Sequence, residues 1–216
     1  MRTPIAVLLT LVAIAPISAQ QPSTKLTLDQ YLEWETVQAP RLSPDGKQII
    51  YGRRWVDKIN DDWVTSLWIM NADGSRNRAL LTGGNVEWSP DGTRIAYVAR
   101  GEPSGSQIFV RWMDAEGATS QITRVSQSPS NLQWSPDGKS IAFSTNRDGN
   151  DEVYVMAADG TGPRNVSNHP SLDVPVAWSA DGTELLFASN RDRTGRDLYR
   201  MKLDGSGVTR VIATKP

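Results

Sequence analysis

Short apolar runs recur along the chain with a period that changes from place to place. The trios Ile49, Ile50, Tyr51; Ile95, Ala96, Tyr97; Ile141, Ala142, Phe143; and Leu185, Leu186, Phe187 are apolar at every position. A half-buried strand alternates apolar with polar, so a short run apolar at consecutive positions predicts a strand covered on both faces. Just before each trio stands a turn signal: Ser-Pro-Asp-Gly begins at Ser43, Ser89 and Ser135, and Ser-Ala-Asp-Gly begins at Ser179. Proline pre-sets its own φ, aspartate accepts nearby backbone N–H groups, and glycine takes the positive φ that closes the turn.

The serines of these turns lie 46, 46 and 44 residues apart. A second landmark, a glycine in Asp-Gly or Glu-Gly, falls at Gly74, Gly117, Gly160 and Gly205, with Met70, Met113, Met156 and Met201 four residues earlier. Read through the second unit, residues 85–88, 94–100, 107–114 and 119–125 form four consecutive short strands joined by turns. Four antiparallel strands in about 45 residues is the size of one β-propeller blade. The expected fold is all-β: four four-stranded blades over about 37–84, 85–126, 131–168 and 174–213, making an incomplete propeller. Before them Thr27 and Gln30 form a capping-box pattern, which predicts a short helix over residues 28–35 that packs on the propeller, within an N-terminal segment 20–36.

From turn serine to landmark glycine the units span 31, 28, 25 and 26 residues. The difference falls in the loop between second and third strands, which shares a rim with the blade-to-blade connections. Variable loops on a rigid scaffold commonly carry recognition. The longest holds Trp55 and Trp63 among charges, either as a contact patch or as rings packed on a neighbouring blade. On the same rim, Arg147 and Arg191 in Asn-Arg-Asp sequences are candidates for holding a carboxylate or peptide, or for an inter-blade salt bridge.

A composition of 38% hydrophobic and 22% charged residues belongs to a folded chain, and a net charge of −1 leaves no basic field for nucleic acid. Residues 1–19 have a basic start, an apolar run over 5–15 and a small residue at Ala19. This is the layout of a cleaved secretory signal, and predicts an exported, periplasmic or secreted protein without a membrane span in its mature form. There is no cysteine and one histidine, so a zinc site has no donor set, and no cofactor is expected. Serine catalysis lacks its Gly-x-Ser-x-Gly elbow, and His169 lies in a connection beside a proline. The aspartates Asp45, Asp91, Asp137 and Asp181 read as turn residues and Trp88, Trp134 and Trp178 as wedges between blades, with Leu42 at that place in the first unit.

The phrases Trp-Ser-Pro-Asp-Gly, Ser-Asn-Arg-Asp and Tyr-x-Met-x-x-Asp-Gly resemble the repeat of TolB-like (WD-like) propellers over residues 41–205. Residues 26–125 resemble, more narrowly, the start of exported prolyl-oligopeptidase-family serine peptidases of the dipeptidyl- or acylaminoacyl-peptidase kind. In that family a propeller precedes an α/β-hydrolase domain with a Ser-Asp-His triad, and no residue here matches that triad. The resemblance implies a non-catalytic propeller that gates or orients peptide substrates, with no hydrolase domain in these 216 residues. The alternative is a stand-alone TolB-like scaffold binding protein in the periplasm. Expected partners are a protein or peptide, missing blades or a catalytic domain, or a second copy.

Overall fold

The computed structural model describes residues 25–192 and 195–212; the signal-like segment lies outside them. One short helix, α1 (Leu28–Leu32), precedes sixteen strands. Blade one is β1 (Thr36–Leu42), β2 (Gln48–Asp57), β3 (Asp62–Asn71) and β4 (Arg78–Thr82). Blade two is β5 (Gly84–Trp88), β6 (Arg94–Gly101), β7 (Gly105–Trp112) and β8 (Thr119–Gln121). Blade three is β9 (Ser130–Trp134), β10 (Ser140–Thr145), β11 (Glu152–Ala157) and β12 (Arg164–Asn165). Blade four is β13 (Asp173–Trp178), β14 (Glu184–Ser189), β15 (Asp197–Lys202) and β16 (Thr209–Ile212). Each blade is an antiparallel sheet in sequence order.

The first strands run side by side, β1 next to β5, β5 next to β9 and β9 next to β13, so the blades fan around an axis in chain order. The fan does not close. Each first strand carries a bulge, between Gln38 and Arg41 in β1 for example, which bends it where the blades converge.

The core lies between the sheets. Ile50, Leu67 and Ile69 of blade one pack against Val86, Trp88, Ile95 and Tyr97 of blade two. Ala96, Ile108 and Val110 of blade two meet Trp134, Ile141, Phe143 and Met156 of blade three. Ala142, Val153 and Val155 of blade three meet Leu185, Phe187, Tyr199 and Met201 of blade four. The middle strands of blades two and three are therefore covered on both faces because a neighbouring blade lies on each, whereas blades one and four have a described neighbour on one face only. Burying one such Ile, Leu or Phe side chain contributes roughly 1.5–3 kcal/mol.

Two expectations change. The capping box forms, with the Gln30 N–H donating to Thr27 Oγ1 and the Thr27 N–H to Gln30 Oε1, but the helix ends at Leu32 and buries no residue. With a single turn there is too little apolar surface to dock it, and Leu28 and Tyr31 stay exposed. Ion pairs from the residues that follow, Glu33 with Lys58 and Glu35 with Arg53, tie it to β2 and its loop. The methionine column also breaks in blade two. Met70, Met156 and Met201 face Ile49, Ile141 and Leu185, whereas Arg111 faces Ile95. The β7–β8 turn is longer, and it carries Met113 past the end of its strand.

Candidate functional site

The two rims of the fan differ in kind. On one, the four Ser-x-Asp-Gly turns repeat atom for atom. Ser43 Oγ donates to Asp45 Oδ1 at 2.7 Å while accepting the Gln48 N–H, and the Lys47 N–H donates to the same aspartate. The same bonds recur around Ser89 and Asp91, Ser135 and Asp137, and Ser179 and Asp181. The turn glycines sit at φ near +70°, as at Gly46 (+73°) and Gly182 (+72°), a region that penalises a Cβ. Donation from the serine, then from the backbone N–H two residues on, holds Asp45, Asp137 and Asp181 below the usual carboxylate range, Asp181 at about 2. Serine donation likewise lowers Asp91. Carboxylates fixed as acceptors this way are poor general acids or bases. A cleft of about 400 Å³ between the last two turns, lined by Pro136, Asp137, Trp178 and Asp181, therefore has no titrating group suited to proton transfer.

The tryptophans act between blades. Trp88 Nε1 donates to the Arg41 carbonyl at 3.3 Å, Trp134 Nε1 to Glu87 at 3.2 Å and Trp178 Nε1 to Gln133 at 3.1 Å. Each indole thus bonds the innermost strand of the preceding blade. Leu42, at the same place in blade one, is exposed. Beside this lock, Arg41 pairs with Glu87 at 2.8 Å, and burial raises the Glu87 carboxyl against the opposing pull of that arginine.

The other rim carries the variable loops. The β2–β3 hairpin is the longest, with ten residues in each strand. Trp55 faces Val64 and Trp63 faces Val56, so strand alternation puts the two rings on opposite sides of the hairpin and they do not form one patch. Trp63 is 47% exposed and lies under the Arg54 guanidinium at 4.4 Å. Trp55 is half-buried.

The Asn-Arg-Asp arginines serve their own blades. Arg191 Nη2 meets Asp173 Oδ2 at 2.8 Å, with side-chain exposures of 11% and 0%, and its guanidinium stands over Phe187 and Tyr199. Both partners belong to blade four, so the ion pair joins its first strand to the loop after its second and does not bridge blades. Arg147 stands over Tyr154 at 4.2 Å, but Pro129 occupies the place of Asp173, and its buried Nε and Nη2 have no hydrogen-bond partner. The following aspartates accept from tyrosine hydroxyls, Asp148 from Tyr154 and Asp192 from Tyr199. Burial, reinforced by those carboxylates, pushes both phenols up to about 12.

One set of residues went unread in the sequence. Glu152 and Asp197 begin their third strands, Gln107 is the third residue of its own, and all three are buried. Gln107 accepts from Thr123 Oγ1 at 2.9 Å and the Val125 N–H at 3.0 Å. Glu152 accepts from Ser167 Oγ, the His169 N–H and Asn150 Nδ2, and Asp197 pairs with Arg210. Gln107 and Glu152 fasten the chain as it leaves the outer strand, and Asp197 holds the outer strand itself. The signal was present as a polar–aliphatic–aromatic triplet in each unit: Ser66-Leu67-Trp68, Gln107-Ile108-Phe109, Glu152-Val153-Tyr154, Asp197-Leu198-Tyr199. His169 shares this network, its Nδ1 accepting the Ser171 N–H at 3.2 Å. Among the described residues no group of His, Asp and Glu is arranged to hold a metal ion, and no helix is long and apolar enough to cross a membrane.

Comparison with known proteins adds three findings on fold. A putative TolB from Agrobacterium tumefaciens is 18% identical, with 82% of this chain and 80% of that one aligned at a TM-score of 0.60. An acylaminoacyl peptidase in complex with Z-Gly-Gly-Phe-chloromethyl ketone is 15% identical, with 85% of this chain covering 33% of that one at a TM-score of 0.66. The β-propeller domain of the Trilobed protease from Pyrococcus furiosus, which has an open velcro topology, is 14% identical, covering 83% of this chain and 71% of that one at 0.55. No curated protein sequence matches. The model of the TolB beta propeller domain matches residues 55–215, most of the chain from the end of β2 onward, and by that match the chain belongs to the TolB β-propeller domain family.

Proposed function

We propose that this chain is the non-catalytic propeller of an exported prolyl-oligopeptidase-type peptidase, and that its variable rim receives and orients peptide. The observation that carries this reading is the contrast between rims. The serine and aspartate side chains of the Ser-x-Asp-Gly turns bond within their own turns, whereas the β2–β3 hairpin projects a half-exposed Trp63 beneath Arg54. An aromatic ring beside a guanidinium suits an extended peptide, offering apolar contact and a charged donor together. The opening over residues 26–125 and the fold shared with acylaminoacyl peptidase support the peptidase context.

Titrating unstructured peptides into the protein while following tryptophan fluorescence tests this. Saturable quenching that is lost in Trp63→Ala is the expected result, and no response to any peptide would end it. A second reading, a TolB-like scaffold binding folded protein, is favoured by alignment with 80% of a putative TolB chain. Reading the gene beyond the Pro216 codon separates the two: a downstream Gly-x-Ser-x-Gly and a late histidine support the peptidase. Export is tested by the mature N-terminus of the secreted or periplasmic protein, expected at Gln20.

A further inference from the structure

On the Ser-x-Asp-Gly rim, the three seams between consecutive blades repeat one contact. The glycine of each turn stands against the proline of the turn before it. A Cβ on Gly92, Gly138 or Gly182 would lie 3.6, 3.7 and 3.6 Å from the Cδ of Pro44, Pro90 and Pro136. Each seam also carries an indole, Trp88, Trp134 or Trp178, bonded to the preceding blade. What differs is the residue at the start of the preceding blade's second strand. Its carbonyl accepts the N–H of the turn serine, which makes Gln48, Arg94, Ser140 and Glu184 equivalent positions.

Between blades two and three that residue is Arg94. Its Nη2 donates to the Gly138 carbonyl at 3.0 Å, and its guanidinium carbon lies 4.9 Å from the Trp134 ring centroid and 5.1 Å from that of Trp112. Trp134 is buried there. Between blades three and four, Ser140 takes the place of Arg94 and Ala157 that of Trp112, and the cleft of about 400 Å³ opens. Trp178 is only half-buried, and among the described residues no hydrogen bond reaches the Gly182 carbonyl. Asp181 takes the Ser179 and Thr183 donors on Oδ1, which leaves Oδ2 uncommitted on a carboxylate that stays charged at neutral pH. Asp137 has only a loose, solvent-screened pairing with Lys139 at 3.9 Å.

We propose that this cleft binds the guanidinium of an arginine side chain presented by a protein or peptide partner, in the position that the chain fills with its own Arg94 one seam earlier. The planar group stacks on the Trp178 indole and donates to the Gly182 carbonyl, and Asp181 Oδ2 accepts a further N–H. Leu203, which also lines the cleft, offers an apolar wall to the methylene stem. A lysine has neither the flat face nor the fork of donors, so arginine is preferred. The site lies on the rim opposite the Trp63 hairpin and does not depend on peptide binding there.

Heteronuclear NMR of the full chain, following the Trp178 indole N–H assigned through Trp178→Phe, tests this. Titration with acetyl-Gly-Arg-Gly-amide is expected to shift that signal saturably. The citrulline and lysine counterparts should bind at least about tenfold more weakly, having lost the charge or the planar fork. Ser140→Arg fills the cleft from within and should abolish the response, while quenching through Trp63 is unchanged. Arg94→Ser opens the preceding seam and should add a second site, read at the Trp134 indole. Circular dichroism checks that both variants stay folded, and the Ser140→Arg arm decides alone if Arg94→Ser does not. No shift at Trp178, equal binding of the arginine and citrulline peptides, tighter binding of free arginine than of the blocked peptide, or a response that survives Ser140→Arg would overturn the proposal.

Discussion

Blades three and four are built to one pattern, with identical register between their second and third strands, yet their outgoing faces end in different surroundings. Ala142, Val153 and Val155 are buried by blade four, while Leu186 and Leu198, at the first two of those positions, are partly open and Arg200 takes the third. A blade's own sequence makes a strand that is apolar on both faces; only a neighbour makes that strand buried. The same pair teaches a second lesson through its arginines. Arg191 finds Asp173, whereas Arg147, with proline in that place, keeps only its aromatic stack.

The largest effect should come from breaking that asymmetry. Arg191→Ala leaves Asp173 buried and unpaired, and should cost about 3–5 kcal/mol in urea denaturation. Arg147→Ala should cost no more than about 1 kcal/mol, the worth of a cation–π contact. Equal losses from the two would show that the ion pair does not separate the blades.

Next come two adjacent leucines on opposite faces of β14. Leu185→Ala, fully buried against blade three, should destabilise by about 2–5 kcal/mol. Leu186→Ala should change stability by less than about 1 kcal/mol under conditions where the chain is monomeric. Smaller still, Trp134→Phe keeps most of the ring but removes the donor to the Glu87 carbonyl, and should cost about 1 kcal/mol. Leu42→Phe, with no blade before it, should be neutral by the same denaturation assay.

The smallest effects are in pH dependence, and they set one rim against the other. Asp181 is lowered in the folded state to about 2, so its contribution is present above the unfolded value near 4 and is lost as pH falls toward 2. Asp181→Asn should flatten the acid limb of the stability curve. The Tyr154 and Tyr199 phenols are raised to about 12, so their contribution is present below the unfolded value near 10 and is lost as pH rises through 12. Absorbance at alkaline pH should show these two tyrosines ionising last, and Asp148→Asn should bring Tyr154 down.

Much of the site was legible because repetition separates structural columns from individual ones. Trp88, Trp134 and Trp178 recur in register and prove to be inter-blade donors, and the turn aspartates bond to their own turns. Trp55 and Trp63 occur once each, and no column says which side of a hairpin they take; that followed only from the pairing of β2 with β3. The polar residues near the starts of the third strands were visible as a triplet but unassigned, since the groups they fasten lie 13 to 18 residues away along the chain.

By itself the sequence determined the repeat, its four-strand unit, its turns and the apolar character of both strand faces, because these depend on local backbone chemistry and on spacing. Tertiary structure alone decided which apolar faces are covered, that the arginine pairs within its blade and that α1 stays exposed. Those outcomes depend on what lies across a face or a rim, and one strand's residues specify the surface they present without specifying what meets it.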